Sequence, residues 1–262
     1  MTREEAYEQY IKPKRIFGNL YFVGIRAVCT HLIDTGAGLI IIDPGFSASL
    51  EIIIKNIEEL GFKLSDLKYI VVTHAHFDHM ESVEELVALT GAKTFIGKKD
   101  LPLLTGEAFH YTIKPFKPDV LLSDGELISL GNTEIRCVET PGHTDGTMSF
   151  FFDVTDGEKV YRAGTFGGAG LNTLNRDFIE RFKRSYSARD DYFNSIEKIK
   201  GERVDIFLGN HLENNRTEEK LARLDTSPVN PFIENSQSEW EDFLNRKAQD
   251  LRNLIAEEAK NA

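Results

Sequence analysis

Three features are scarce in this sequence, and each scarcity excludes a class of protein. There are two cysteines, Cys29 and Cys137, so a disulfide-stabilised small domain is excluded. Both lie in apolar runs, which predicts buried free thiols. No apolar run approaches the roughly 20 residues of a membrane-spanning helix. Positive charge is also scarce, because the formal net charge is −11, which argues against nucleic acid or an anionic membrane as a partner.

Length and composition predict one globular unit. A chain of 262 residues with 41% hydrophobic residues can bury a core without disulfides. No linker or shift in composition divides it, so we expect a single domain over residues 1–262. Residues 1–5 are charged and lack the apolar segment of a signal peptide. As given, the chain is expected to be cytoplasmic; an exported mature form without its signal would have the same sequence.

The densest group of chemically active side chains is Thr73-His74-Ala75-His76-Phe77-Asp78-His79. Residues 69–72 before it are apolar and rich in β-branched side chains, which predicts a buried strand. Residues 80–89 after it have the apolar spacing of a helix. The cluster is therefore predicted in the turn between a strand and a helix, where α/β folds place their chemistry.

The spacing within this cluster predicts two metal positions. His74 and His76 are two residues apart in an extended segment, so their rings point the same way and can bind one ion. Asp78 and His79 follow the turn and can bind a second ion. Imidazole and carboxylate suit zinc at roughly 2.0–2.2 Å, although iron or manganese also accepts such ligands. The alternative is a polar loop rich in histidine without a bound metal.

Two more histidines are candidates to complete these positions. His143 lies in Thr140-Pro141-Gly142-His143-Thr144, just after a predicted strand, and would complete the first site. His211 also follows a predicted strand and would complete the second site. For each of them the alternative is an ordinary loop histidine.

Three other polar residues are not required as ligands. Asp43 ends a predicted strand before Pro44-Gly45 and could hydrogen-bond a ligand histidine from behind; the alternative is a carboxylate that only stabilises the turn. His31 lies in a predicted strand and is expected in the core or at its rim. His110 lies in a proline-containing loop region and could border the pocket.

Predicted strands fall into two groups with helices between them, which indicates two β-sheets packed face to face and helices outside, an α+β architecture. The predicted strands are 20–28, 31–34, 39–42, 69–72 and 93–96 in the first half, and 127–130, 133–138, 148–152, 159–162 and 204–208 in the second. The predicted helices are 49–60, 80–89, 178–184, 191–199 and 239–259.

These motifs together resemble the metallo-β-lactamase superfamily. The resemblance rests on the strand before Thr-His-x-His-x-Asp-His, on Pro141-Gly142-His143-Thr144 and on the strand-end His211, and it extends from about residue 20 to the terminal helix. It implies an αββα sandwich of two packed mixed β-sheets with helices on both outer faces. It also implies a two-metal site at one edge of the sandwich.

The ligand set is most similar to the third subclass of class B β-lactamases, in which three histidines bind one zinc and Asp-His-His binds the other. Residues 160–166 contain no carboxylate, whereas thioesterases of the glyoxalase II type and acyl-homoserine lactonases carry a metal-bridging aspartate there. The chain departs from the subclass in its glycine-rich turn, where Thr165, Gly167 and Gly168 replace serines that help to hold the antibiotic carboxylate.

The resemblance implies a dizinc hydrolase that cleaves a cyclic amide, a β-lactam, by attack of a metal-bound hydroxide, with antibiotic resistance as the consequence. Two Zn²⁺ per chain would be the cofactor, and Asp78 would be catalytic because it can orient the hydroxide and accept its proton. One alternative is a lactone, ester or thioester hydrolase with little β-lactamase activity. Another is a metal-binding protein used for sensing or partner contact.

The expected partner is a small-molecule substrate, and the sequence does not predict the oligomeric state. Thr165 is a candidate to hold the substrate because it keeps one hydroxyl in the turn. Phe46, Phe109 and Tyr111 are candidates for an apolar wall of the pocket. For these aromatic residues the alternative is ordinary packing of loops on the body of the protein.

Overall fold

The structure is a computed structural model that describes residues 1–104 and 116–260. Within these residues, seven strands form one sheet in the order of the chain. They are β1 (Lys14–Phe17), β2 (Leu20–Phe22), β3 (His31–Asp34), β4 (Leu39–Ile42), β5 (Leu67–Val71), β6 (Lys93–Gly97) and β7 (Val120–Leu122). The first four strands pair antiparallel and the last four pair parallel, so this sheet is mixed.

A second sheet has five strands in the spatial order β12-β11-β10-β9-β8. They are β8 (Leu127–Leu130), β9 (Thr133–Glu139), β10 (Met148–Thr155), β11 (Val160–Thr165) and β12 (Ile206–Phe207). The pair β11 and β12 is parallel and the other pairs are antiparallel. This sheet is therefore mixed as well, and β9, β11 and β12 all end at the same edge.

Helices connect and cover the sheets. Among the described residues they are α1 (Arg3–Glu8), α2 (Leu50–Glu59), α3 (Phe77–Met80), α4 (Val83–Thr90), α5 (Leu101–Leu104), α6 (Arg176–Arg181), α7 (Ser187–Ile199), α8 (Leu212–Asn215), α9 (Thr217–Arg223) and α10 (Ser236–Lys260). None of these helices is both long and apolar enough to cross a membrane.

Three apolar layers define the sandwich. Alternate residues of a strand face opposite sides of its sheet, so Phe150 and Phe152 of β10 face the first sheet while Phe151 faces outward. Helices α2 and α4 cover the outer face of the first sheet, and α7 and α10 cover the outer face of the second. Because both faces are covered, the strands are apolar on both sides. The predicted αββα sandwich is confirmed.

Two predicted elements are interrupted in the structure. The predicted strand 20–28 ends at Phe22, and the chain then reverses in a tight turn at Arg26 and Ala27, where the N–H of Ile25 donates to the carbonyl of Val28 at 3.2 Å. The predicted helix 80–89 is divided into α3 and α4 around Ser82, whose N–H and hydroxyl donate to the carbonyls of Gly45 and Pro44. Tertiary contacts with the loop after β4 therefore override the local helical pattern.

Candidate metal centre

All six predicted ligands follow strand ends at one edge of the sandwich, and two of them, Asp78 and His79, lie in the short helix α3. Strands β5, β9 and β12 end at this edge, and the next few residues carry the cluster 74–79, His143 and His211. The N–H of Met148 donates to the carbonyl of Thr73 at 2.8 Å, which joins the two sheets at this point. Short loops after three strands thus bring together side chains that are far apart in sequence.

These six side chains form two triads, His74, His76 and His143, and Asp78, His79 and His211. Within each triad the candidate ligand atoms lie within 4.8 Å of one another. Nε2 of His143 is 2.9 Å from Nδ1 of His76 in the first triad. Nε2 of His79 is 3.3 Å from Nε2 of His211 and 3.4 Å from Oδ2 of Asp78 in the second. The structure groups the residues as the sequence analysis predicts.

Four histidines are held from behind by an acceptor on Nδ1. The acceptors are Thr73 Oγ1 for His74 at 2.9 Å, Asp43 Oδ2 for His79 at 2.8 Å, the Gly170 carbonyl for His143 at 2.8 Å and the Ala27 carbonyl for His211 at 3.0 Å. Each contact places the proton on Nδ1 and leaves Nε2 as a lone pair that faces the cluster. Nε2 of His74 is buried without a hydrogen-bond partner among the described residues, which is the situation a metal ion would satisfy.

The two triads differ in their electrostatics. Burial, reinforced by the other histidines, lowers the pKa of His74 and His76 well below its ordinary value, and burial lowers the pKa of His143 to about 3. Burial also lowers the pKa of His79, but the charges of Asp78 and Asp43 outweigh it and leave that pKa raised. The histidines of the first triad are therefore neutral at pH 7. In the second triad, His79 lies in a field that favours a cation, whereas burial lowers the pKa of His211.

Asp43 is a buried carboxylate behind both triads. Its φ of +53° lies in the left-handed region, and its side chain is 1% exposed. Oδ1 accepts the N–H of Thr73 at 2.7 Å, and Oδ2 accepts the Thr73 hydroxyl at 2.7 Å and Nδ1–H of His79 at 2.8 Å. The expected contact with a ligand histidine is present, and a second one, His74, is reached through the Thr73 hydroxyl.

Two charged residues near the ligands were not selected from the sequence. Asp100 is fully buried and accepts hydrogen bonds from Ala75, Thr144 and Gly146. Burial raises the pKa of Asp100 to about 6, although these donors act to lower it. Arg184 donates to the backbone around His143. No local pattern marks either residue, because their partners, mostly backbone groups, are distant in sequence.

The sequence model described as "Metallo-beta-lactamase superfamily" matches residues 23–211, which is most of the chain. The chain belongs to the metallo-β-lactamase superfamily. The predicted family and the prediction of a hydrolase are therefore confirmed at the level of the superfamily.

Solved structures of metallo-β-lactamases are similar to this superfamily member over nearly its whole length. A subclass B3 metallo-β-lactamase of Bradyrhizobium japonicum is 29% identical, with a TM-score of 0.88 over 99% of both chains. The metallo-β-lactamase of Legionella gormanii is 32% identical, with a TM-score of 0.83 over 94% of this chain and 96% of the other.

Curated relatives match over shorter stretches. A probable polyketide biosynthesis zinc-dependent hydrolase of Bacillus subtilis is 28% identical over 62% of this chain and 61% of its own length. A hydroxyacylglutathione hydrolase of Cereibacter sphaeroides is 38% identical over 38% of this chain and 34% of its own length. The chain thus spans less than two thirds of these relatives.

A cavity of about 280 Å³ opens at the metal centre of this metallo-β-lactamase superfamily member. Besides the six candidate ligands, its wall contains Phe77, Ala169, Gly170, Asn172 and Asn210. No lysine or arginine lines it among the described residues. The polar groups that a substrate meets there, apart from the ligands, are therefore the neutral amides of two asparagines and backbone.

The predicted substrate contacts lie in different places. Thr165 is 4% exposed and pairs with Phe150 inside the second sheet. Phe46 is buried and packs edge-on against Phe77 of the cavity wall, with ring centroids 5.5 Å apart. Phe109 and Tyr111 lie outside the described residues, as does His110. Phe46 thus supports the wall from behind, and its contribution to substrate binding stays a prediction.

The glycine-rich turn packs directly on the first triad. A β-carbon at Gly167 would lie 1.9 Å from the Met148 carbonyl oxygen, and one at Gly168 would lie 2.7 Å from Cβ of His143. Neither position has room for a side chain in this backbone. The turn therefore needs glycine at both positions for close approach, and no side-chain hydroxyl fits there.

Proposed function

We propose that the protein is a two-zinc hydrolase that opens a cyclic amide, a β-lactam by preference. The observation that carries the proposal is the pair of preformed triads at the edge of the sandwich. The likeness to metallo-β-lactamases over 94–99% of the chain supports the choice of β-lactam. The substrate is a small molecule, since the described cavity is about 280 Å³.

The donor set fits zinc, because three neutral imidazoles and an imidazole–carboxylate group are ligands that zinc prefers. When bound, zinc supplies a Lewis acid and lowers the pKa of water from about 15.7 to about 7. His74, His76 and His143 would hold one ion, and Asp78, His79 and His211 would hold the other. No serine or cysteine nucleophile is required.

Asp78 has a second role in this proposal. Its side chain is 21% exposed, and Oδ2 lies 3.4 Å from Nε2 of His79 and 3.6 Å from Nε2 of His211. This carboxylate is therefore accessible from the cavity and can orient a water molecule and accept its proton. Phe77, supported by Phe46, supplies an apolar wall that limits the access of further water.

The test is hydrolysis of a chromogenic cephalosporin and a carbapenem by zinc-loaded protein, with and without a chelator. The proposal predicts chelator-sensitive turnover with kcat/KM of roughly 10⁴ M⁻¹s⁻¹ or more. The variant His76→Ala should lose the zinc ion of the first triad and its activity together. Hydrolysis that persists in the metal-depleted variant would contradict the proposal.

A second candidate is a hydrolase for lactones, esters or thioesters. The observation that favours it is the lack of room for side-chain hydroxyls at Gly167 and Gly168. The described cavity wall also has no basic residue to pair with the carboxylate of an antibiotic. The hydroxyacylglutathione hydrolase of Cereibacter sphaeroides is a relative of matching chemistry.

The same zinc-loaded protein separates the two candidates. Turnover of thioesters or lactones at enzyme-like efficiency, with cephalosporin turnover at least a hundredfold slower (about 2.7 kcal/mol in transition-state stabilisation), would select the second candidate. The opposite ratio would select the first. A zinc-loaded protein inactive on both panels would favour a metal-binding role without catalysis.

A further inference from the structure

A loop formed by residues 141–146 carries His143 and is held between two charged side chains that take no part in the proposed chemistry. Asp100 contacts it on one side and Arg184 on the other. Donor groups of the loop, the Thr144 hydroxyl and the Gly146 N–H, donate to the Asp100 carboxylate. Backbone carbonyl groups of the loop accept from the Arg184 guanidinium.

Arg184 donates hydrogen bonds to three backbone carbonyl groups. Its Nη1 donates to the carbonyls of His143 at 3.1 Å and Thr173 at 3.2 Å, and its Nη2 donates to the Gly142 carbonyl at 3.1 Å and to Oδ1 of Asp145 at 2.9 Å. The side chain is 10% exposed. A planar guanidinium can make this set of bonds in fixed directions, whereas a lysine ammonium cannot reproduce them.

Asp100 accepts three hydrogen bonds. Its Oδ1 accepts the Gly146 N–H at 2.7 Å, and its Oδ2 accepts the Thr144 hydroxyl at 2.9 Å and the Ala75 N–H at 2.8 Å. Ala75 lies between two ligands of the first triad, and Thr144 follows the third. One carboxylate therefore fixes the distance between the two segments that supply this triad.

The first triad has little tolerance for displacement of the loop. Nε2 of His143 already lies 2.9 Å from Nδ1 of His76, and binding constellations need their groups within roughly 0.5 Å of the productive geometry. The second triad is supported by contacts that Asp100 and Arg184 do not make. Its histidines are held by Asp43 and the Ala27 carbonyl, which are on other segments.

We propose that Asp100 and Arg184 are positioning residues that set the zinc affinity of the His74–His76–His143 site and leave the Asp78–His79–His211 site unchanged. This inference rests on the two-metal centre of the proposed function. It goes beyond that function because it assigns control of zinc affinity at the first site alone to two residues outside the ligand set.

The experiment measures zinc affinity at each site separately, by competition with a chromogenic chelator. A His211→Ala background leaves the first triad intact, and a His143→Ala background leaves the second intact. Arg184→Lys and Asp100→Asn are placed in each background, with the fold checked by circular dichroism without metal. Arg189→Lys is the matched control, because Arg189 is 11% exposed and bonds Leu174 and Glu258 but not the 141–146 loop.

Both variants should weaken zinc binding roughly 10- to 100-fold in the His211→Ala background, and neither should change it in the His143→Ala background. Arg189→Lys should leave both affinities unchanged. Equal loss in the two backgrounds, or loss in neither, would overturn the proposal. The parent protein is titrated in parallel, and fewer than two zinc ions per chain there would overturn the proposed function itself.

Where Arg184→Lys or Asp100→Asn fails to fold without metal, two separate single variants provide a second test. They are Arg184→Gln and, for comparison, Asp145→Asn. Asp145 is a mostly exposed partner of Arg184 and supplies one of the four bonds of that guanidinium, so its replacement alone should weaken the first site less than Arg184→Gln does. Arg184→Gln should again weaken the first site selectively. A first-site affinity equal to that of the parent background would overturn the proposal.

Discussion

Replacing Asp43 by Asn tests whether the buried carboxylate behind the triads sets the tautomer of a ligand. In the parent protein Asp43 accepts three hydrogen bonds at 2.7, 2.7 and 2.8 Å. Asparagine tolerates the left-handed φ of +53°, so the substitution changes chemistry with little change in backbone strain. One of the two acceptor oxygens becomes an NH₂ donor.

The consequence can be followed atom by atom. If the remaining oxygen keeps the Thr73 N–H, the new NH₂ faces the Thr73 hydroxyl and Nδ1 of His79. The hydroxyl can rotate and accept, but Nδ1 of His79 must lose its proton to accept. The proton then moves to Nε2, the atom that faces Asp78 and His211, and that nitrogen can no longer bind zinc.

Loss of such a supporting contact typically costs roughly 10- to 100-fold in metal affinity, which is about 1.4 to 2.7 kcal/mol. Asp43→Asn should therefore weaken the second site by this amount and the first site less, because His74 is reached only through Thr73. The assay is zinc competition in the His143→Ala and His211→Ala backgrounds.

Asp34→Asn is the control, since Asp34 bonds the N–H of Gly36 in a hairpin away from the metal centre. It should leave both zinc affinities unchanged. An Asp43→Asn variant with parental affinity at the second site would refute the reasoning, because the tautomer would then not depend on the carboxylate.

Three further predictions concern packing, pH and backbone conformation. Gly168→Ala should lower the free energy of unfolding of the zinc-free protein by about 1–3 kcal/mol in urea titrations, because the new methyl would lie 2.7 Å from Cβ of His143; an unchanged midpoint would contradict this. Burial lowers the pKa of His31 from 6.5 to about 4, so as pH falls below 6.5 the unfolded chain binds a proton at this residue that the folded protein does not bind. Between pH 7.5 and pH 5, the free energy of unfolding of the zinc-free protein should therefore fall by about 2 kcal/mol more than that of His31→Leu. Equal losses in the two proteins would contradict this prediction. Gly91→Ala should cost about 1–2 kcal/mol in thermal unfolding without changing turnover, since Gly91 has φ +66° at the end of α4 with open space around it; an unchanged midpoint would argue against backbone strain.

Sequence patterns predicted the interior of the fold well because burial on both faces gives long apolar runs. The strand around Phe150 is an example. The helix α10 was predicted instead from apolar residues that recur at helical spacing in a charged segment, and it extends from Ser236 to Lys260 against a predicted 239–259. The edge strands β1 and β7 were not predicted. They have three or four residues with weak alternation, and their extended conformation depends on pairing with a neighbouring strand.

The candidate ligands could be predicted because they lie within a few residues of strand ends. Asp43 shares that property, so its position behind a histidine was also expected. Asp100 and Arg184 differ because they form hydrogen bonds mainly with backbone groups of loops distant in sequence. The residues next to them in the sequence do not indicate those partners. The glycines of the turn could be seen in the sequence, but the reason for them is contact with Met148 and His143.

The central claim is that the two triads bind two zinc ions. The most direct test is the zinc content per chain after reconstitution and removal of excess metal, measured by native mass spectrometry. We expect two zinc ions per chain in the parent protein, one in His143→Ala and one in His211→Ala. A parent protein that binds one zinc ion or none under these conditions would contradict it.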